Sequence, residues 1–263
     1  MYAFTYERPA SQDEALHLLK AGAKPLAGGQ TLLASMKLRL AAPGQVVDLG
    51  SIAALKGIRR EAGQLVIGAM TRHCDVAENA EVRADIPALA HLAAGIGDRQ
   101  VRARGTLGGS VANNDPAADY PAALLGLGAT VHTSTRSITA DDFFRGLFET
   151  ALAEDELITA VSFAIPKRAA YVKFVQPASR FALIGVFVAQ SDAGVRVAVT
   201  GGGNGVFRHT AFEQALAASF RPEALAGIAT DASLMNGDLH GSAEYRAHLA
   251  GVMAQRAVAQ ALG

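Results

Sequence analysis

Apolar residues fall at Ala15, Leu16, Leu18 and Leu19 behind the start Ser11-Gln12-Asp13-Glu14, a hydroxyl cap and two acids that mark the positive end of a helix. Lys24 to Ala27 reads as a strand that breaks at Gly28-Gly29, and helical spacing resumes from Thr31 to Leu40 until Pro43 and Gly44 stop it. Val46–Leu49 and Leu65–Gly68 are short β-type runs bounded by glycine, and Ile86-Pro87 opens an apolar helix reaching about Ile96. Ala129–Thr135 and Leu157–Ile165 have strand character. Tyr171–Val175, Ala182–Ala189 and Val195–Thr200 predict three antiparallel strands, after which Phe212–Ala218, Pro222–Ala229 and Ser242–Leu262 predict packed helices. The tail is therefore expected to form its own α+β unit. Pro166-Lys167-Arg168 is the expected boundary, too short for a flexible linker, so the two parts should touch. No repeat of fixed period is present.

The chain has 263 residues, half of them apolar and 18 % charged, a balance that excludes disorder and permits a large core. Lys plus Arg and Asp plus Glu both number 24, so there is no electrostatic footprint for nucleic acid or an anionic membrane. The longest apolar runs, such as Phe181–Ala189, fall short of the roughly 20 residues of a membrane span. The N-terminus lacks the basic start and apolar run of a secretory signal, and the single cysteine, Cys74, can build neither an internal disulfide nor a cluster site. A cytoplasmic location is the expectation.

Two glycine pairs carry the candidate chemistry: Ala27-Gly28-Gly29-Gln30-Thr31 and Thr106-Leu107-Gly108-Gly109-Ser110. Each could be a backbone nest in which successive N–H groups converge on an anion, and two nests would suit a pyrophosphate; taken alone, in a chain with 27 glycines, each pair reads more simply as a plain turn. Neither G-x-G-x-x-G after a strand nor a glycine loop ending in Gly-Lys-Ser/Thr occurs, which disfavours the Rossmann and Walker solutions. Downstream of the second pair, Asn113 and Asp119 could hold the hydroxyls of a ribose or ribityl chain, or could merely cap a turn and the helix after Tyr120.

AGGQTLL at 27–33, IGAMTRH at 67–73, QVRARGTLGGSVANNDPAADYPAALLGLGATV at 100–131, YVKF at 171–174 and HGSAEYRAHLA at 240–250 together resemble the FAD-binding medium subunits of molybdenum hydroxylases, the group that includes carbon monoxide, xanthine and aldehyde dehydrogenases. The resemblance implies an α+β fold. A two-lobed FAD-binding domain of the vanillyl-alcohol oxidase type would span 1–166, and a small domain of a three-stranded antiparallel sheet and three helices would span 167–263. It implies an oxidoreductase subunit that takes electrons from iron–sulfur clusters on a partner and passes them through FAD to an external acceptor. The partners would be a large molybdopterin subunit and a small 2Fe-2S subunit, with a dimer of that heterotrimer also allowed. By the same resemblance Ala27, Gly28, Gly29, Gln30, Thr31 and Leu32, with Thr106, Gly108, Gly109 and Ser110, would wrap the FAD pyrophosphate. Asn113 and Asp119 would hold the sugar-like linkage, Ile158 would lie against the flavin ring, and Lys173 would sit near it, where the bland reading is a solvated strand lysine. A self-contained FAD oxidase of the same fold, or a flavin-free assembly subunit, are the alternatives.

Two segments depart from the family pattern. Ser179-Arg180-Phe181 stands where many relatives carry Gly-Asp-Tyr, and the loop Gly201–Gly205 lacks a proline. His240 and His248, eight residues apart, do not converge on a metal. Asp141-Asp142 reads as the acidic opening of a helix, and Cys74 beside His73 as a small buried residue rather than a nucleophile.

Overall fold

In the computed structural model, which describes residues 1–263, the chain begins with a small parallel sheet. β1 (Thr5–Glu7), α1 (Gln12–Lys20), β2 (Lys24–Leu26), α2 (Leu32–Lys37) and β3 (Gln45–Asp48) follow one another, and the strands lie side by side in the order β1-β3-β2. Ser11 caps α1 by accepting from the Glu14 N–H, and Ala15 and Leu19 bury its inner face. α2 is shorter than the pattern predicts: it stops at Lys37, and Arg39 turns the chain with φ of +60° before Pro43 is reached.

The second lobe is an antiparallel sheet with helices packed on it. β4 (Ile58–Glu61) and β5 (Gln64–Gly68) form a hairpin. Six helices follow: α3 (His73–Glu78), α4 (Ala80–Asp85), α5 (Pro87–Ala94), α6 (Arg99–Arg104), α7 (Leu107–Asn113) and α8 (Tyr120–Leu127). β6 (Thr130–Thr133) and β7 (Ser137–Thr139) then lead through α9 (Ala140–Phe143) to the hairpin β8 (Phe144–Gly146) and β9 (Glu149–Thr150), and β10 (Ile158–Ala164) returns to the sheet. β10 lies between β5 and β6, giving the order β4-β5-β10-β6-β7. Leu65, Ile67, Val131, Val161 and Phe163 of this sheet and the inner faces of α5, α7 and α8 share one core.

The C-terminal part contains β11 (Arg168–Val175), β12 (Ala182–Ser191), β13 (Gly194–Thr200), β14 (Phe207–Arg208), α10 (Thr210–Ala218) and α11 (Ala243–Leu262). The three long antiparallel strands are those the pattern predicts, and the two-residue β14 adds a fourth to the order β11-β12-β13-β14. The helix expected over Pro222–Ala229 is only a 3-10 turn at Pro222–Leu225. Ala226 is extended and Gly227 has φ of +77°, so the turn cannot propagate. Every residue of β12 from Ala182 to Ala189 is buried, because both faces of this sheet are covered. Ile184, Val186, Val188, Val197 and Val199 face α10 and α11, while Tyr171, Phe187, Ala189 and Ala198 face α8 and belong to the core of the preceding lobe. The sheet therefore has its own helices on one side and the N-terminal part on the other. No helix is long and apolar enough to cross a membrane.

Candidate functional site

β2 ends at Leu26, and the next five residues run from the sheet to α2. Gly29 takes φ of +75°, a conformation that a side chain would strain. The N–H groups of Gly28, Gly29, Gln30, Thr31 and Leu32 have no acceptor within the chain. Five consecutive free donors on a half-exposed loop form the kind of concavity that receives an anion. Gly28 is a glycine for a different reason: a Cβ there would overlap the carbonyl of Arg104. The contact presses this loop against the turn that leads into α7, bringing together segments some eighty residues apart in the chain.

The second glycine pair does not form a nest. Thr106 is the N-cap of α7, its hydroxyl accepting from the Gly109 N–H at 3.1 Å, and the Gly108 N–H donates to the Ala69 carbonyl at 2.8 Å. Gly108 is buried against Ala69, which a Cβ would strike. Gly109 faces the first loop, where a Cβ would stand 3.3 Å from that of Ala27 and 2.9 Å from the Thr106 hydroxyl oxygen. Ser110 lies one residue on, its hydroxyl unbonded within the chain. Ala27, Gly28, Arg104 and Thr106 also border a cleft of about 500 Å³, whose other walls carry Arg8, Lys56, Arg72 and, opposing them, Asp48 and Asp75.

Asn113 ends α7, half-buried, with no side-chain bond within the chain. Its neighbour Asn114 takes the left-handed conformation and is buried; its amide donates to the Gly146 and Glu149 carbonyls at 2.9 and 2.7 Å, while its Oδ1 has no partner. Asp119 precedes α8 but caps nothing. Its carboxylate turns instead to β11: Oδ1 accepts from the Tyr171 hydroxyl at 2.5 Å, and Lys173 Nζ lies 3.0 Å from Oδ1 and 3.2 Å from Oδ2. Burial pushes the Asp119 carboxyl up from the ordinary carboxylate range, and the Lys173 ammonium and Tyr171 hydroxyl draw it back. Burial beside that carboxylate also holds Tyr171 protonated. Lys173 is no solvated strand lysine; its side chain is 9 % exposed, and it also donates to the carbonyls of Gly95 and Arg180 at 3.0 and 2.9 Å. Ile158, at the head of β10, is buried in the core.

The residues present fit a dinucleotide. A row of free N–H groups and a glycine-lined wall stand at the N-terminal end of α7, and a carboxylate beside a lysine stands past its C-terminal end, separated by about 10 Å of helix. Tyr171 was not among the residues singled out from sequence, although its spacing of two from Lys173 puts both on one face of a strand. Thr200 was missed as well: its hydroxyl donates to the Pro116 and Ala118 carbonyls at 2.9 and 2.8 Å and ties β13 to the segment before Asp119.

Comparison with known proteins meets the same architecture. Residues 2–167 match the family of the FAD binding domain in molybdopterin dehydrogenase, and residues 188–261 match the CO dehydrogenase flavoprotein C-terminal domain. The chain belongs to the FAD-binding family of the molybdopterin dehydrogenases. The carbon monoxide dehydrogenase medium chain of Hydrogenophaga pseudoflava is 36 % identical, over 97 % of this chain and 96 % of its own. The nicotine 6-hydroxylase medium subunit of Paenarthrobacter nicotinovorans is 35 % identical, over 98 % and 97 %. Among solved structures, a carbon monoxide dehydrogenase from Hydrogenophaga pseudoflava superposes with a TM-score of 0.91 at 34 % identity, covering 99 % of this chain and 98 % of the other. Quinoline 2-oxidoreductase from Pseudomonas putida 86 does so at 0.88 and 30 %, covering 99 % and 97 %. Membership makes this an oxidoreductase flavoprotein whose cofactor is FAD, with the α+β fold and small C-terminal domain that the motifs imply.

Proposed function

We propose that this chain is the FAD-carrying electron-transfer subunit of a molybdenum hydroxylase complex, taking electrons from iron–sulfur clusters on a small partner subunit and delivering them to an external acceptor. A large molybdopterin subunit would hold the substrate in a heterotrimer, a dimer of that set also being allowed, in the cytoplasm. The observation that carries the reading is the pairing of a free N–H row at Gly28–Leu32 with the Asp119–Lys173 couple across α7, within a chain of the family just described. We further propose that the chain divides into an FAD-binding domain, 1–166, and a C-terminal domain, 167–263.

In this reading the N–H groups of Gly28 to Leu32, with Ala27, Gln30 and Thr31 framing them, hold the pyrophosphate from one side. Thr106, Gly109 and Ser110 close the other side, and Gly108 seats the helix against Ala69 so that Gly109 can approach. Asn113 and Asp119 accept from the hydroxyls of the linkage, and Ile158 backs the ring from the core at the head of β10. Lys173 supplies a fixed positive charge near it, held by three acceptors so that it cannot swing away. FAD, when bound, supplies the redox chemistry; the chain contributes binding, orientation and electrostatics.

Purified protein denatured and chromatographed should release FAD, not FMN, with none left attached to the chain. Co-expressed with its large and small partners, it should accept electrons from a substrate that the isolated chain does not oxidise. Turnover of an organic substrate by the isolated chain at the rate of the complex would replace this reading with a self-contained oxidase.

A further inference from the structure

We propose that Tyr171 is a positioning residue for FAD binding, holding the Asp119 carboxylate in its ligand-accepting orientation from the C-terminal sheet. This rests on the reading of Asp119 as a ligand of the cofactor's sugar-like chain. Three observations carry it. Asp119 is 5 % exposed and receives no hydrogen bond from its own segment, so its orientation is set entirely by β11. A carboxylate has about four acceptor sites, and Tyr171 and Lys173 leave some of them open. Lys173 has already committed its other donors to Gly95 and Arg180, which leaves the tyrosine hydroxyl as the partner dedicated to Asp119.

The third observation is the room made for that hydroxyl. Gly185 lies on β12, the buried central strand, paired with Lys173 on one side and Thr200 on the other. Glycine weakens a strand interior, yet a Cβ here would collide with the Tyr171 hydroxyl and stand 2.9 Å from the Thr200 methyl. Packing alone does not need the hydroxyl: the Tyr171 ring meets Phe187 at 6.2 Å between centroids, a contact phenylalanine would make equally well. The glycine leaves room for the Thr200 methyl, for the end of the Tyr171 ring and above all for the O–H that reaches a carboxylate on the other part of the chain.

The test uses the full-length protein stripped of flavin and titrated with FAD. Tyr171→Phe should raise the dissociation constant about tenfold, as expected for loss of a hydrogen bond to a charged group. Lys173 and Tyr171 on β11 and Tyr120 on α8 are the titratable groups facing Asp119, and the Tyr171 bond favours its charged form. Tyr171→Phe should therefore move the acid limb of FAD affinity to higher pH, a change that loss of packing would not produce. In an Asp119→Asn background the same substitution should change affinity less than about twofold. Gly185→Ala, whose methyl would press on the Tyr171 hydroxyl and the ring carbon that carries it, should reproduce the loss if Tyr171→Phe does not fold. Wild-type affinity and pH profile in Tyr171→Phe, with Asp119→Asn weakened, would overturn the role of Tyr171 alone. Wild-type affinity in Asp119→Asn would remove the underlying reading of Asp119.

Discussion

Asp119 and Glu156 are both buried carboxylates, and their surroundings drive them in opposite directions. Glu156 accepts from Arg136 Nε and Nη2 at 3.0 Å each, from the Thr133 and Thr135 hydroxyls, and from the Ala153 N–H. The Arg136 guanidinium leads in lowering it to about 2, overcoming burial. Its contribution to stability is complete above pH 4.5 and disappears as pH falls from there toward 2. Glu156→Gln should cost about 2 kcal/mol at pH 7, read from urea denaturation, and should flatten the stability profile in that window. His73 opens a separate window: burial, then Arg102, lowers it from 6.5 to about 4. The unfolded chain takes up the proton first, so stability falls as pH drops from 6.5 toward 4, and His73→Gln should abolish that slope. Gly109→Ala divides folding from binding. Alanine is favoured over glycine in a helix by about 1 kcal/mol, so the fold should survive. The methyl group would crowd Ala27 and the Thr106 hydroxyl, and FAD affinity should fall about tenfold on titration; unchanged affinity would take Gly109 out of the site.

At the level of elements, periodicity and caps located α1, α5, α11 and the long strands, because these depend on neighbours a few residues away. Where hydrogen-bond partners lie far off in sequence, the local pattern was silent. Thr106-Leu107-Gly108-Gly109-Ser110 can be a turn, a nest or a helix start, and it becomes a helix start because the Ala69 carbonyl and Thr106 hydroxyl take its N–H groups. The contact between α8 and β12 shows the same dependence. Gly126 lies against Phe187, where a Cβ would come within 2.6 Å of the ring, and Arg196 reaches from β13 to the Leu125 carbonyl at 2.6 Å and to Asp141. Gly126→Ala should destabilise the protein by about 1–3 kcal/mol through overpacking, measured as a lower denaturant midpoint, although the helix itself would prefer alanine.

For the whole molecule, the C-terminal sheet has the preceding lobe's core on one face and α10 and α11 on the other. Residues 167–263 expressed alone should bind a hydrophobic dye and aggregate, since Tyr171, Phe187, Ala189 and Ala198 would lose their cover; co-expression with 1–166 should restore a soluble pair. A soluble, dye-silent fragment would mean that this face is not needed for folding. By itself the sequence determined the family, the mixed α+β class, the caps and the continuous apolar run of β12, because these follow from backbone preference, local hydrogen bonding and burial, and from motifs preserved in order along the chain. Only the tertiary structure decided that Asp119 serves β11 and not a helix cap, that Lys173 is largely shielded from solvent and saturated, and that the first glycine pair keeps its N–H groups free while the second spends them. Tyr171 and Lys173 stand 52 and 54 residues from Asp119, and at such separations the angle at which two elements dock selects the partner, which no local pattern encodes.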